Sequence, residues 1–460
     1  MPNTPSHRAL ALATLGALLL YFSLAFFYQA PLLNNGDYQR ITQGLISMPV
    51  YEALSNACFA IDSSALYLPF SIPSLIFETT LLINLAVGRA CWSIEGYFVL
   101  LCSVYLLGVI FVIWKKQLNL SIAISLVIAP LFFSPFLKSL YEEGVVLALI
   151  PWLIFFINVH KKQGSVIGLL VVIGLMLLSK LQLLLMIPTI LYFVVNAQSP
   201  STPHSSKLKL WVKTSIFGIA LMALVGAGVL SKQSQNDGHA NAYNRLFNGI
   251  GWTLQEVQSW PVNTFTQRLD YFYSHQKTLQ APLQNTELYS GQALWGTSYW
   301  PTGLELLTSG NDPQWQQIEA LLTPMTFAKY FYHHPQLIAQ YLTSAAAVFV
   351  SSDYSLHYLK VKSNTSQSNA PQIQSALLLL NDALLASCAI LYCLLMISVL
   401  LNRAGFGRLV AIATILFAPL AIVLGDGYFE YEKHMMPFFM CMPILLLLIR
   451  PKKKEVKSQA

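Results

Sequence analysis

Apolar runs of helix-spanning length recur along this chain, separated by short polar breaks that alternate in character. Basic breaks carry lysine and arginine and almost no acid, whereas the breaks between them carry Asp and Glu. A helix needs roughly 20 apolar residues to cross a bilayer. The runs Ala9 to Tyr28, Ile94 to Trp114, Leu120 to Leu137 and Val145 to Val159 meet or approach that length. Two shorter runs follow, Ser165 to Ser179 and Leu181 to Val195, then Thr214 to Leu230, Ser375 to Leu401, Leu409 to Leu424 and Met435 to Ile449. The pattern predicts an all-α polytopic membrane protein of about 10 transmembrane helices.

Two stretches break the pattern. From Pro31 to Ser93 the chain is mixed, with Asp37, Arg40, Glu52, Asp62, Glu78 and Arg89 set among apolar residues. It reads as a first outer loop with amphipathic interfacial helices. Leu66 to Val87 within it is apolar enough to be considered as a span, but Pro69, Pro73, Glu78 and Asn84 argue for the interface. From Ser231 to Gln374 the chain is polar, aromatic and interrupted by proline, and it predicts a mostly helical outer domain between helices 7 and 8. The expected organisation is an N-terminal transmembrane domain over 1–230, an outer membrane-adjacent domain over 231–374, and C-terminal helices with a basic tail over 375–460.

Composition agrees with a lipid environment. Of the 460 residues 55% are hydrophobic and only 10% charged, against about 25% charged in soluble domains. The net charge of +7 gathers in short clusters beside apolar runs, as the positive-inside rule requires, and does not form a stripe suited to nucleic acid. Arg8, Lys115–Lys116, Lys161–Lys162, Arg403, Arg408 and Lys452–Lys454 mark one side; every carboxylate except Glu455 can be assigned to the other. Both termini are then cytoplasmic, in a cell membrane of the bacterial inner-membrane kind. Cys58 and Cys91 fall in the first outer loop and are the pair available for a disulfide in an oxidising compartment.

Candidate chemistry gathers on the outer side. Asp37 lies in Asn34-Asn35-Gly36-Asp37-Tyr38, just after the first helix and two residues ahead of Gln39-Arg40. Gly36 permits a tight turn there, so Asp37 suits either proton abstraction from an alcohol or an Asx turn with Arg40 as its partner. Glu142 and Glu143 open the fourth helix, where they complement the helix dipole or orient a metal or cationic group. Lys180 and Gln182 sit between the two short runs; an ionisable group at that depth is a functional candidate, with snorkelling to the interface as the plain alternative. Arg245 stands in Tyr243-Asn244-Arg245-Leu246-Phe247-Asn248-Gly249-Ile250. The last outer loop packs Asp426, Glu430, Glu432, Lys433 and His434 behind two glycines. No Gly-rich nucleotide loop occurs on the inner side.

In order and sidedness these features resemble the GT-C-fold glycosyltransferases. The resemblance rests on the acidic first loop with Asp37, on Tyr141-Glu142-Glu143, on Ser179-Lys180-x-Gln182, on the Tyr243 to Ile250 segment and on the terminal Gly425-Asp426-Gly427 to His434 stretch. It implies transfer of a sugar from a polyprenyl-phosphate donor to a hydroxyl acceptor, a glycan or a lipid, on the non-cytoplasmic face. Asp37 would be the catalytic base, and Lys180, Arg245, Lys433 and His434 would meet the carrier phosphate. Arg40, Glu142, Glu143, Gln182, Asp426 and Glu430 complete the substrate-binding set. The first loop lacks an Asp-x-Asp pair, so a divalent cation is possible but not required. Two other readings stay open: a polysaccharide polymerase or ligase relying on outer arginines, and a flippase for a lipid-linked glycan, although no internal repeat is visible.

Overall fold

A computed structural model describes residues 6–29, 31–32, 38–42, 45–46, 58–61, 71–89, 91–163, 167–180 and 183, together with the single positions 218, 226, 332, 335, 376 and 434. The described residues are mostly helical. Seven helices occur among them: α1 (His7–Tyr28), α2 (Tyr38–Thr42), α3 (Ile72–Ala86), α4 (Ile94–Trp114), α5 (Leu120–Leu137), α6 (Glu142–Gln163) and α7 (Ile167–Ser179). Three are long and apolar enough to cross a membrane, namely α1, α4 and α6 over Glu142–Val159. The expected outer domain and the C-terminal helices fall almost wholly outside the described residues.

Local sequence explains where the helices start and how they tolerate proline. Ser6 caps α1 by accepting from the Ala9 amide at 3.2 Å, and Ser71 caps α3 in the same way at the Ser74 amide. Pro130 and Pro135 lie inside α5, and each lacks the N–H that would bond the carbonyl four residues earlier. Tyrosines from neighbouring helices take both orphaned acceptors. Tyr105 donates to the Leu126 carbonyl at 2.6 Å, and Tyr21 reaches the Leu131 carbonyl at 3.5 Å. In lipid an unsatisfied carbonyl costs several kcal/mol, so these two bonds join α4 and α1 to α5 at the points where α5 is weakest.

The helices form an alternating bundle. Phe22 meets Tyr105 and Phe26 meets Phe98, so α1 runs antiparallel to α4. Gly144 faces Leu101, and Gly108 lies against Pro151 and Trp152, so α4 and α6 run parallel. α7 returns antiparallel to α6, with Gly168 beside Phe156 at one end and Lys180 beside Glu142 at the other. The end of α1, the start of α4, the end of α5, the start of α6 and the end of α7 therefore share one end of the bundle. α6 is the central element: 72% of its apolar window is buried, against 33% for α1. Its neighbours α4, α5 and α7 shield it, while α1 shows Leu12, Leu20 and Phe27 outward.

The first loop is not wholly helical, which corrects the all-α expectation in detail. β1 (Phe59–Ala60) pairs antiparallel with β2 (Cys91–Trp92), Phe59 facing Trp92. A disulfide joins Cys58 to Cys91 across this pair. Trp92 is fully buried, donates its indole N–H to Thr80 Oγ1 at 2.8 Å, and packs on Phe59, Phe77 and Tyr97. The loop is thereby fastened to α3 and to the start of α4. α3, at 15 residues, rises about 22 Å and falls short of the ~30 Å hydrocarbon core.

Candidate functional site

The shared end of α4, α6 and α7 buries a cluster of charge. Lys180 Nζ lies 2.8 Å from Glu143 Oε1 and 3.3 Å from Glu142 Oε2. The lysine side chain is 8% exposed and Glu143 only 1%, while Glu142 keeps 31%. Glu142 is thus the member that faces outward.

Backbone geometry sets these three in place. Ser139 Oγ donates to the Phe136 carbonyl and accepts from the Tyr141 amide, which turns the chain out of α5. α6 then opens directly on Glu142 and Glu143. Gly144 is needed immediately after, because a Cβ there would collide with the Phe136 carbonyl oxygen. α7 closes on Ser179, and the Lys180 amide donates to the Met176 carbonyl at 2.9 Å. Two acids at the start of α6 and a base at the end of α7 each complement their own helix dipole. Antiparallel packing then brings the two signs together.

Aromatic and polar groups surround the cluster. Tyr38 is fully buried, donates to the Leu32 carbonyl at 2.9 Å, and meets Tyr141 with ring centroids 5.0 Å apart. Tyr38 follows Asp37 in the chain and Tyr141 precedes Glu142, so the first loop and the start of α6 are in contact one residue from each candidate acid. Tyr97, in the first turn of α4, is fully buried, one turn before the Leu101 that packs on Gly144. Among the described residues its hydroxyl has no hydrogen-bond partner, and Glu143 Oε2 has none either. Lys138, just past α5, donates to the Phe26 carbonyl at 2.8 Å and lies over the Phe26 ring. Burial pulls its ammonium below the ordinary lysine range, and the Glu95 carboxylate partly opposes this.

Of the residues expected from sequence, Glu142, Glu143 and Lys180 are brought together. The Lys180 ammonium is buried against two carboxylates. His434 is helical and buried. Arg40 belongs to α2, but its side chain, like Asp37, Gln182, Arg245, Asp426, Glu430 and Lys433, lies outside the described residues. Among the described residues no group of three or more His, Cys, Asp or Glu is placed to hold a metal. Tyr97, Lys138 and Glu95 were not expected at the site. A polar residue in the first turn of an apolar helix, or straight after a proline-bearing one, was the available signal.

Searches against protein-family models, curated proteins and solved structures find no match to this chain.

Proposed function

We propose that the chain is a polytopic membrane glycosyltransferase that moves a sugar from a polyprenyl-phosphate donor to a hydroxyl acceptor on the non-cytoplasmic face. The observation that carries the reading is the buried Glu142–Glu143–Lys180 cluster, at the bundle end where the loop following Asp37 packs through Tyr38 on Tyr141. The Cys58–Cys91 disulfide supports the sidedness, because such bonds persist in oxidising compartments. In this reading the chain crosses the membrane about ten times and keeps both termini in the cytoplasm.

The step is an inverting displacement. The acceptor hydroxyl gives its proton to Asp37 as its oxygen attacks the anomeric carbon. The bond from that carbon to the carrier phosphate oxygen breaks, and the phosphate leaves with the electron pair. Lys180 carries one positive charge against two carboxylates, so it orients Glu142 and Glu143 and has no surplus charge for the phosphate. That task passes to Arg245 and Lys433, with His434 as a hydrogen-bonding neighbour. Arg40, Gln182, Asp426 and Glu430 stay in the substrate-binding set. A divalent cation at Glu142 and Glu143 would have to displace the Lys180 ammonium.

Asp37→Asn tests the mechanism. The expected result is a fall in glycan product of about 10²–10⁴-fold with an equal amount of folded protein in the membrane. Normal product from that variant would refute the assigned base.

A further inference from the structure

Among the described residues, two polar atoms of the cluster have neither a hydrogen bond nor an ion pair. Glu143 Oε2 and the Tyr97 hydroxyl are both buried without a hydrogen-bond partner, and a buried polar group left unpaired is destabilising. Neither fits the remainder of a structural ion pair, since Glu143 already meets Lys180 through Oε1. Tyr97 stands on α4, one turn before Leu101, which packs on Gly144 immediately after Glu143.

The chemistry of the two atoms restricts what completes them. Ionised Glu143 accepts only, while a tyrosine hydroxyl donates or accepts. Two carboxylates against one ammonium give the trio a net charge of −1, which disfavours an anion. Lys180 already occupies the space between the carboxylates, which disfavours a second cation. A neutral group that can donate to one atom and accept from the other remains, and a hydroxyl does both through a single atom. A ligand with several hydroxyls serves both atoms whether or not they share a single partner. Glu142, the most exposed of the trio, marks the approach.

We propose that Glu143 and Tyr97 form a recognition site for hydroxyl groups of a sugar or other polyol, entered past Glu142 and held by water when no ligand is bound. The inference deepens the transferase reading and rests on it for the choice of a sugar over other polyols. Tyr97 and Glu143 act here as binding groups and take no part in bond making.

Saturation-transfer NMR on the full chain in nanodiscs tests this site, with glucose, galactose, mannose, N-acetylglucosamine, arabinose and glycerol as probes at millimolar concentration. At least one sugar is expected to show transfer in the wild type. Tyr97→Phe and Glu143→Gln should each reduce that signal severalfold, while Leu12→Ala, on the outward face of α1, leaves it intact. Tyr97→Phe removes only a hydroxyl, so it remains informative if Glu143→Gln does not fold. Signals equal in wild type and Tyr97→Phe, or no sugar signal at all, would overturn the site and leave the orphaned atoms to structural water. Glycerol alone responding would retain the polyol site and remove the sugar assignment. Tyr97-dependent sugar binding without turnover of any polyprenyl-phosphate donor would keep the site and sink the transferase reading.

Discussion

Removing the Lys180 ammonium should destabilise the bundle more than removing either of its partners. The charges lie 2.8 and 3.3 Å apart. At an effective dielectric of about 20 the two attractions are roughly 6 and 5 kcal/mol before desolvation is subtracted. Screening by solvent reduces the Glu142 term further, because that side chain is 31% exposed. In Lys180→Met both carboxylates lose their counter-charge, and Glu143, at 1% exposure, lies away from the screening of bulk solvent. Breaking a buried pair from one side costs about 3–5 kcal/mol. Glu142→Gln leaves the shorter contact intact and should cost about 1 kcal/mol or less. The assay is reversible unfolding in mixed SDS micelles, with a double-mutant cycle over Lys180→Met and Glu143→Gln. The reasoning predicts a coupling well above that for Lys180 and Glu142. A Lys180–Glu143 coupling below about 0.5 kcal/mol, the range of exposed pairs, would refute it.

Three further outcomes follow from neighbouring features. Cys58→Ser opens a loop of sequence separation 33 and should lower stability by about 3–4 kcal/mol on the loop-entropy estimate; unfolding midpoints of wild type and variant under non-reducing conditions check it. Gly144→Ala drives a Cβ into the Phe136 carbonyl, so a cost of about 1–3 kcal/mol is expected in the same unfolding assay, with the start of α6 displaced. Lys138 has a lowered pKa in the fold, so the unfolded chain binds more protons between that value and the ordinary lysine value of 10.5. Stability of the wild type should therefore rise relative to Lys138→Met as pH increases from neutral toward that limit. Parallel pH series for the two proteins read the slope, and a flat difference would discount burial as the cause.

The number of residues in each apolar run was enough to define α1, α4 and α5, because a helix in lipid must satisfy its backbone internally and ends where polarity returns. The same logic identified Glu142, Glu143 and Lys180 as charges at helix ends. It also named Cys58 and Cys91 as the available pair, since both fall in one loop. Asp37 and the glycine-rich turn before His434 were legible as motifs; their geometry lies outside the described residues.

What no one-dimensional pattern held was which charges meet. Glu142 and Lys180 are far apart in the chain, and only the antiparallel return of α7 along α6 brings the lysine to the two acids as a buried counter-ion. Packing buries Tyr97 and Tyr38 completely and sets Tyr38 against Tyr141, contacts that no segment's own composition announces. Hydropathy is a property of each segment and is written in the sequence, whereas the pairing of buried charges depends on which helix faces which, and tertiary packing alone decides that.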